Sequence, residues 1–222
     1  SPIVANPIDQ IVCNGVSTSL VNFSGTGMSY TWTNNTPGIG LAASGSGNIN
    51  PFTAINTSLS PLNAQVVVTP NSTVNGLTCS GVSQGLIFTI NPTPGLIDPT
   101  DQVVCNGAAT AATVFSGNGT SYSWTNSNPA IGLTASGLGN IPSFTAINTG
   151  NFPIVTTITV LPNFTGGAVS CNGVSQSYTI TVNPTPNVQG LPDQVLCNSA
   201  TTNALNFLGT GTSYTWTNNT PS

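Results

Sequence analysis

No lysine, arginine, histidine or glutamate occurs among the 222 residues, where average usage would make about a quarter of the side chains charged. Apart from the cysteines, the tyrosines and the termini, the ionisable groups are Asp9, Asp98, Asp101 and Asp193. General acid–base catalysis needs a His, a Lys or a carboxylate of tunable pKa, and a nucleophilic Ser or Cys needs a base beside it. The composition therefore excludes an enzyme, and no catalytic residue or cofactor is assigned. Nucleic acids and anionic membrane surfaces are held by Lys and Arg, so neither is expected as a partner. For the same reason trypsin has no cleavage site along the chain. No run of about eighteen apolar residues occurs, and no basic segment precedes an apolar one, so neither a membrane span nor a signal peptide is read. Any export signal is expected outside these residues.

What is present can fold. Hydrophobic residues make up 38% of the chain, with Trp, Phe, Val and Ile at regular intervals, unlike the composition of a disordered segment. Its polar surface must consist of Thr, Ser, Asn and Gly, which hydrate well and repel one another little. That is the surface expected of an extracellular protein.

Laid along itself, the sequence repeats at an offset of 92. Asp9, Asp101 and Asp193 each open "DQ", two apolar residues and a Cys. Trp32, Trp124 and Trp216 follow at the same spacing, and "NPTP" at Asn91 to Pro94 returns at Asn183 to Pro186. About half the positions of 9–94 and 101–186 are identical without a gap. A period of this length exceeds a solenoid unit and suits a whole domain. The expected organisation is the end of a linker at 1–8, a first bead at 9–94, a linker at 95–100, a second bead at 101–186, a linker at 187–192, and the opening of a third, incomplete bead at 193–222. The proline-rich linkers should be short and stiff. The closing "SYTWTNNTPS" repeats the segment from Ser29, so the chain reads as a window onto a longer array.

Within a bead, "LNAQVVV" from Leu62 and "IVTTITV" from Ile154 place apolar residues on one face by the two-residue alternation of a strand. "YTITV" from Tyr178 does the same. Asn14-Gly15, Asn106-Gly107 and Asn172-Gly173 suit tight turns. No 3.6-residue apolar stripe occurs. The expected fold is all-β: tandem immunoglobulin-like antiparallel β-sandwich repeats. Trp32, Trp124 and Trp216, with Phe23, Phe115 and Phe207, are expected in the cores. A sugar-stacking platform is the alternative role of the tryptophans.

Each full bead holds a Cys, a Trp nineteen positions on and a second Cys sixty-six positions after the first, resembling the immunoglobulin order. The first Cys is read in a turn and the second in a loop before the last strand, at opposite ends of a simple sandwich. Two pairings compete: Cys13–Cys79 with Cys105–Cys171 inside beads, or Cys13–Cys171 joining one bead to the next. Local loop closure, the common framework of secreted domains, favours the first. Cys197 has no partner in this window.

The segments "DQVVCNG", "SYSWTNSNPAIGLTASGLGNIPSFTAINTG", "YTITV" and "NPTP" resemble the PKD-like, immunoglobulin-like repeats of very long surface proteins of Bacteroidota, including the gliding-motility adhesins of flavobacteria. The resemblance covers both full beads and the opening of the third. It implies a parent exported by type 9 secretion and anchored at the outer-membrane surface through regions not present here. It also implies a stalk and adhesive role, with neighbouring repeats, surface polysaccharide or other cells as partners.

Asp98 and Asp101 are weak candidates for a Ca²⁺ site between beads, which would want six to eight oxygens; otherwise they are solvated turn residues. Asn-X-Ser/Thr sequons begin at Asn22, Asn34, Asn56, Asn71, Asn118, Asn163 and Asn218, and several follow from composition alone. "ASGSGNI" from Ala43 is read as loop, since no Lys or helix makes it a phosphate cradle. The expected function is a non-enzymatic stalk or adhesive segment of a cell-surface adhesin. A self-assembling extracellular fibre and a carbohydrate-binding module are the alternatives.

Overall fold

The computed structural model describes residues 1–220; positions 221 and 222, the last of the third unit, lie outside them. Bead 1 is built from β1 (Gln10–Cys13), β2 (Ser29–Asn34), β3 (Ser44–Ser46), β4 (Leu62–Val74), β5 (Leu77–Ser80) and β6 (Gln84–Asn91), and bead 2 from β7 (Gln102–Cys105), β8 (Ser121–Asn126), β9 (Ser136–Leu138), β10 (Ile154–Gly166), β11 (Val169–Asn172) and β12 (Gln176–Asn183). Each bead has one hydrogen-bonded sheet, in the order β1-β6-β4-β2-β3 in bead 1 and β7-β12-β10-β8-β9 in bead 2. The repeat is therefore structural as well as textual.

The facing layer is looser. It is tied by single bridges, Ser17 with Thr53 and Val21 with Ile49 in bead 1, repeated as Ala109 with Thr145 and Thr113 with Ile141 in bead 2. Between the layers, Val21, Phe23, Ile39, Leu41 and Ile49 meet Trp32, Val66, Val68, Phe88 and Ile90. Alternation along β4 buries Ala64, Val66 and Val68 as expected, and along β12 it buries Tyr178, Ile180 and Val182. Both beads are immunoglobulin-like sandwiches.

The sheets are mixed where an antiparallel arrangement was expected. β1 runs parallel to β6, pairing Gln10 with Phe88 through Cys13 with Asn91. The "DQ" pair explains how so short an edge strand holds its place. Asp9 accepts the Ile87 N–H at 2.7 Å, and Asp101 accepts that of Thr179 at 2.6 Å. The Gln10 side chain both accepts from the Ser19 N–H and donates to the Ser19 carbonyl, a substitute for a strand partner. Gln102 with Ala111, and Gln194 with Asn203, do the same.

The glycine-rich segment read as loop contributes a strand. β3 lies along β2 with Gly45 opposite Trp32, and β9 places Gly137 opposite Trp124. A Cβ on either glycine would run into the indole ring. The recurring Trp and "ASG.G" segments are thus two halves of one contact.

Residues 193–220 form no strand. Trp216 is 71% exposed and Phe207 half-buried against Tyr214, which corrects their expected place in a core. The reason is physical: nothing among the described residues supplies the strands that bury Trp32 and Phe23 in bead 1.

Tyr178 occupies a core position of bead 2, its hydroxyl donating to Thr113 Oγ1 at 3.1 Å. Burial raises its pKa above the ordinary 10, and the Thr113 hydrogen bond pulls the other way. A phenol harder to ionise when folded leaves stability intact below pH 10 and erodes it as pH rises beyond. Urea unfolding followed up to about pH 11 should show bead 2 weakening, and Tyr178→Phe should flatten that trend. Equal pH profiles for the two proteins would remove Tyr178 as its source.

Candidate functional site at the bead junction

The chain's ionisable groups do not assemble into chemistry. Among the described residues no three His, Cys, Asp or Glu side chains gather where a metal could sit. Asp98 and Asp101 are both exposed, and the Asp101 carboxylate is engaged by the Thr179 N–H. The hollow where residues 209–213 lie against bead 2 is lined by Phe152, Pro153, Pro184 and Pro186, with no titratable group. Trp32 and Trp124 are buried in the cores, unavailable to a sugar ring. Asn34 and Asn56 open sequons yet are buried and hydrogen-bonded through their amides, so they cannot carry a glycan in the folded bead.

The most elaborate arrangement joins the beads. β10 continues for thirteen residues, past its last core residue Val160 and through Pro162. It then turns at Gly167 into β11, forming a hairpin arm that reaches back onto bead 1. At the arm's tip, Asn91 Nδ2 donates to the carbonyls of Gly166 at 3.0 Å and Val169 at 3.4 Å. Ile11 lies beside Gly167. The arm also brings Cys171 to Cys13, with 5.6 Å between their Cα atoms, and the two form a disulfide across 158 positions.

This corrects the favoured in-bead pairs Cys13–Cys79 and Cys105–Cys171. Cys13 ends β1 rather than lying in a turn, at the Leu62 end of β4, whereas Cys79 pairs with Ser72 near its other end; Cys171 lies on β11, in the arm that meets bead 1 at Cys13. Cys79, Cys105 and Cys197 are free and exposed.

The linker is held from both sides. Asn14 donates to Thr93 Oγ1 at 2.9 Å, Asn118 reaches across to the Leu59 and Thr93 carbonyls at 3.3 Å, and Asn118 Oδ1 accepts from the Gly95 N–H. Asn172-Gly173, expected in a left-handed turn, has a different duty: a Cβ at Gly173 would collide with the Pro94 carbonyl. Gly81 meets Pro2 in the same way, and Asn106 donates to Thr185 Oγ1 as Asn14 does to Thr93. The joint is therefore written three times along the chain.

The arm was missed in the sequence, although bead 1 announces it. Asn75-Gly76 have φ of 52° and 80°, the paired left-handed residues of a tight hairpin turn.

No protein-family model matches the sequence, nor does any curated protein sequence. Among solved structures the chain is similar to human mucin-like protocadherin EC1-2, at 13% identity over 83% of this chain and 99% of that one, with a TM-score of 0.36. It is also similar to human protocadherin-24 EC1-2, at 9% identity over 83% and 100%, with a TM-score of 0.37. The insect immune protein hemolin matches at 13% identity and a TM-score of 0.36, over 83% of this chain and 47% of hemolin. No described helix is long and apolar enough to cross a membrane.

Proposed function

We propose that this chain is a non-enzymatic stalk segment of a long secreted adhesin, displayed at an outer-membrane surface. The Bacteroidota-type repeat segments support type 9 export and a part in attachment or gliding. Neighbouring repeats are its first partners; surface polysaccharide or other cells would be met by the array as a whole. Residues 193–222 are read as the opening of a further bead, and 95–100 and 187–192 as linkers.

The observation that carries this reading is the joint. A linker meant only to connect needs no carbonyl wedged against a glycine, no asparagine gripping a neighbour's hairpin and no disulfide. Such a joint fixes direction, which a stalk requires. The surface agrees: 13145 Å² is exposed for 22.4 kDa, where a compact monomer would expose about 9400 Å². The third unit, which forms no strand, contributes to the excess. The thirteen residues of β4 run about 43 Å at about 3.3 Å each, so two beads in line span about 80–90 Å.

Small-angle scattering of the oxidised chain tests the reading. A stalk predicts a particle at least about 80 Å long, unchanged by concentration, that broadens into a range of bend angles in the Cys13→Ser/Cys171→Ser variant. A compact particle would overturn it, and growth with concentration would favour the fibre.

A further inference from the structure

At the two ends of the molecule the linker contacts of the joint recur, but no arm is seated in a neighbouring bead. At the seated joint, Asn91 is fully buried, Cys171 is 3% exposed and Ile11 is partly covered by the arm. One period later, Asn183 is half-buried, Cys105 is exposed and free, and Val103 is 67% exposed. Nothing distinguishes the two ends in fold. Val103 and Cys105 lie on β7, paired with β12 as β1 is with β6, and Cys105 is opposite Asn183 as Cys13 is opposite Asn91. The difference in exposure is the absence of an arm.

We infer that the end of bead 2 formed by Val103, Cys105 and Asn183 is a socket for the hairpin arm of another bead of this repeat, closed by a disulfide from Cys105 to the arm's cysteine. The occupant is set by the seated example. An arm entering this socket must offer backbone carbonyls to the Asn183 amide, a small residue where a Cβ would strike the asparagine, and a cysteine five positions further on. The bead 2 arm has all three in Gly166, Val169 and Cys171. The bead 1 arm carries Val74 at the first of these places, with Val74 and Leu77 exposed beside the free Cys79, and suits the socket less well.

Closure is an oxidation. Two thiols lose two protons and two electrons as the S–S bond forms, and a disulfide oxidant takes them up, becoming two thiols. Oxidised glutathione serves in vitro. This inference concerns how beads join and holds whether or not the parent protein is an adhesin.

The test is the full chain lengthened by one period, with a second copy of residues 101–192 inserted between Pro192 and Asp193, refolded in a glutathione redox buffer. The chain as it stands has three alkylatable thiols, Cys79, Cys105 and Cys197. The insert adds two cysteines. If its arm fills the socket, the count of alkylatable thiols stays at three, and non-reducing peptide mapping recovers Cys105 joined to the inserted copy of Cys171. A count of five, or a bridge inside the inserted bead, overturns the inference. So does a lengthened chain whose strand signal in circular dichroism fails to grow in proportion, since a bead that cannot be seated is not one the socket accepts. Replacing Gly166 of the inserted copy by Val should slow closure at least several-fold. Unchanged closure would show that the Asn183 contact does not select the arm.

Discussion

Trp32→Ala should destabilise bead 1 by about 3–5 kcal/mol, and in that background Gly45→Ala should cost almost nothing. Alone, Gly45→Ala should cost about 1–3 kcal/mol. The new methyl meets three atoms of the indole ring at once. It cannot be accommodated by swinging a flexible tip aside, because the ring is held by the core around it. Either β3 lifts from β2 or the tryptophan leaves its rotamer. Removing the ring removes the collision, so the two costs should be strongly non-additive. The indole Nε1 is buried without a hydrogen-bond partner, so Trp32→Phe should be much milder than Trp32→Ala. Urea unfolding of the four proteins of this cycle measures the coupling. Additive costs would mean that Gly45 serves the local backbone and not the ring. Gly137 with Trp124 should give the same result in bead 2.

The second large effect is expected at Asn56. Its Nδ2 donates to the carbonyls of Ser60 at 2.9 Å and Ile90 at 2.7 Å, while Oδ1 accepts from the Ser58 N–H and hydroxyl. One buried amide thus ties the loop before β4 to the last core residue of β6. Asn56→Asp should cost about 3 kcal/mol or more at neutral pH, because an ionised carboxylate would face two carbonyl oxygens and leave both without donors. Burial and those oxygens would raise the new carboxyl's pKa above the ordinary 3.9. The variant should therefore be least impaired below about pH 4 and lose stability as pH rises through its raised pKa, then level off. Asn56→Ala, with no charge, should cost about 1–3 kcal/mol without that pH dependence. Midpoints of urea unfolding from about pH 3 to pH 8 separate the two, and parallel profiles would refute the electrostatic account. Asn148, bonded to the Phe152 and Val182 carbonyls, should behave alike.

These residues also mark what could be read from the chain before its fold. The alternation in β4 and β12 and the 92-residue period follow directly from side-chain chemistry, and so did the sandwich. Trp32 and the "ASGSGNI" segment are each visible in the sequence, but a glycine-rich stretch does not show that Gly45 makes room for the ring. The Cys13–Cys171 disulfide is hidden from the sequence for a related reason. Alternation stops at Val68, and Pro70 resembles a strand end because proline cannot donate to a ladder. Yet β4 continues through Pro70 to Val74, and β10 likewise passes through Pro162. Pro70 sits opposite Tyr30 at the end of β2, where the sheet narrows to a two-stranded arm. A bead drawn without its arm is a closed unit, and a closed unit invites internal pairing. The sequons at Asn34 and Asn56 show a similar limit, since a local three-residue pattern carries no information on burial.

The bond between Cys13 and Cys171 also changes how the chain bears tension. Drawn apart at its two ends, the molecule passes load along β1, across the sulfurs and onward through β12, so residues 14–170 form a closed loop to one side of the load path. The 158 residue steps spanned by the bond represent about 570 Å of contour at about 3.6 Å per residue. That length stays out of reach however far β2 to β10 are loosened, because every route from end to end crosses covalent bonds outside them. The sheets of both beads can then be marginally stable and refold at leisure while the tether keeps its length.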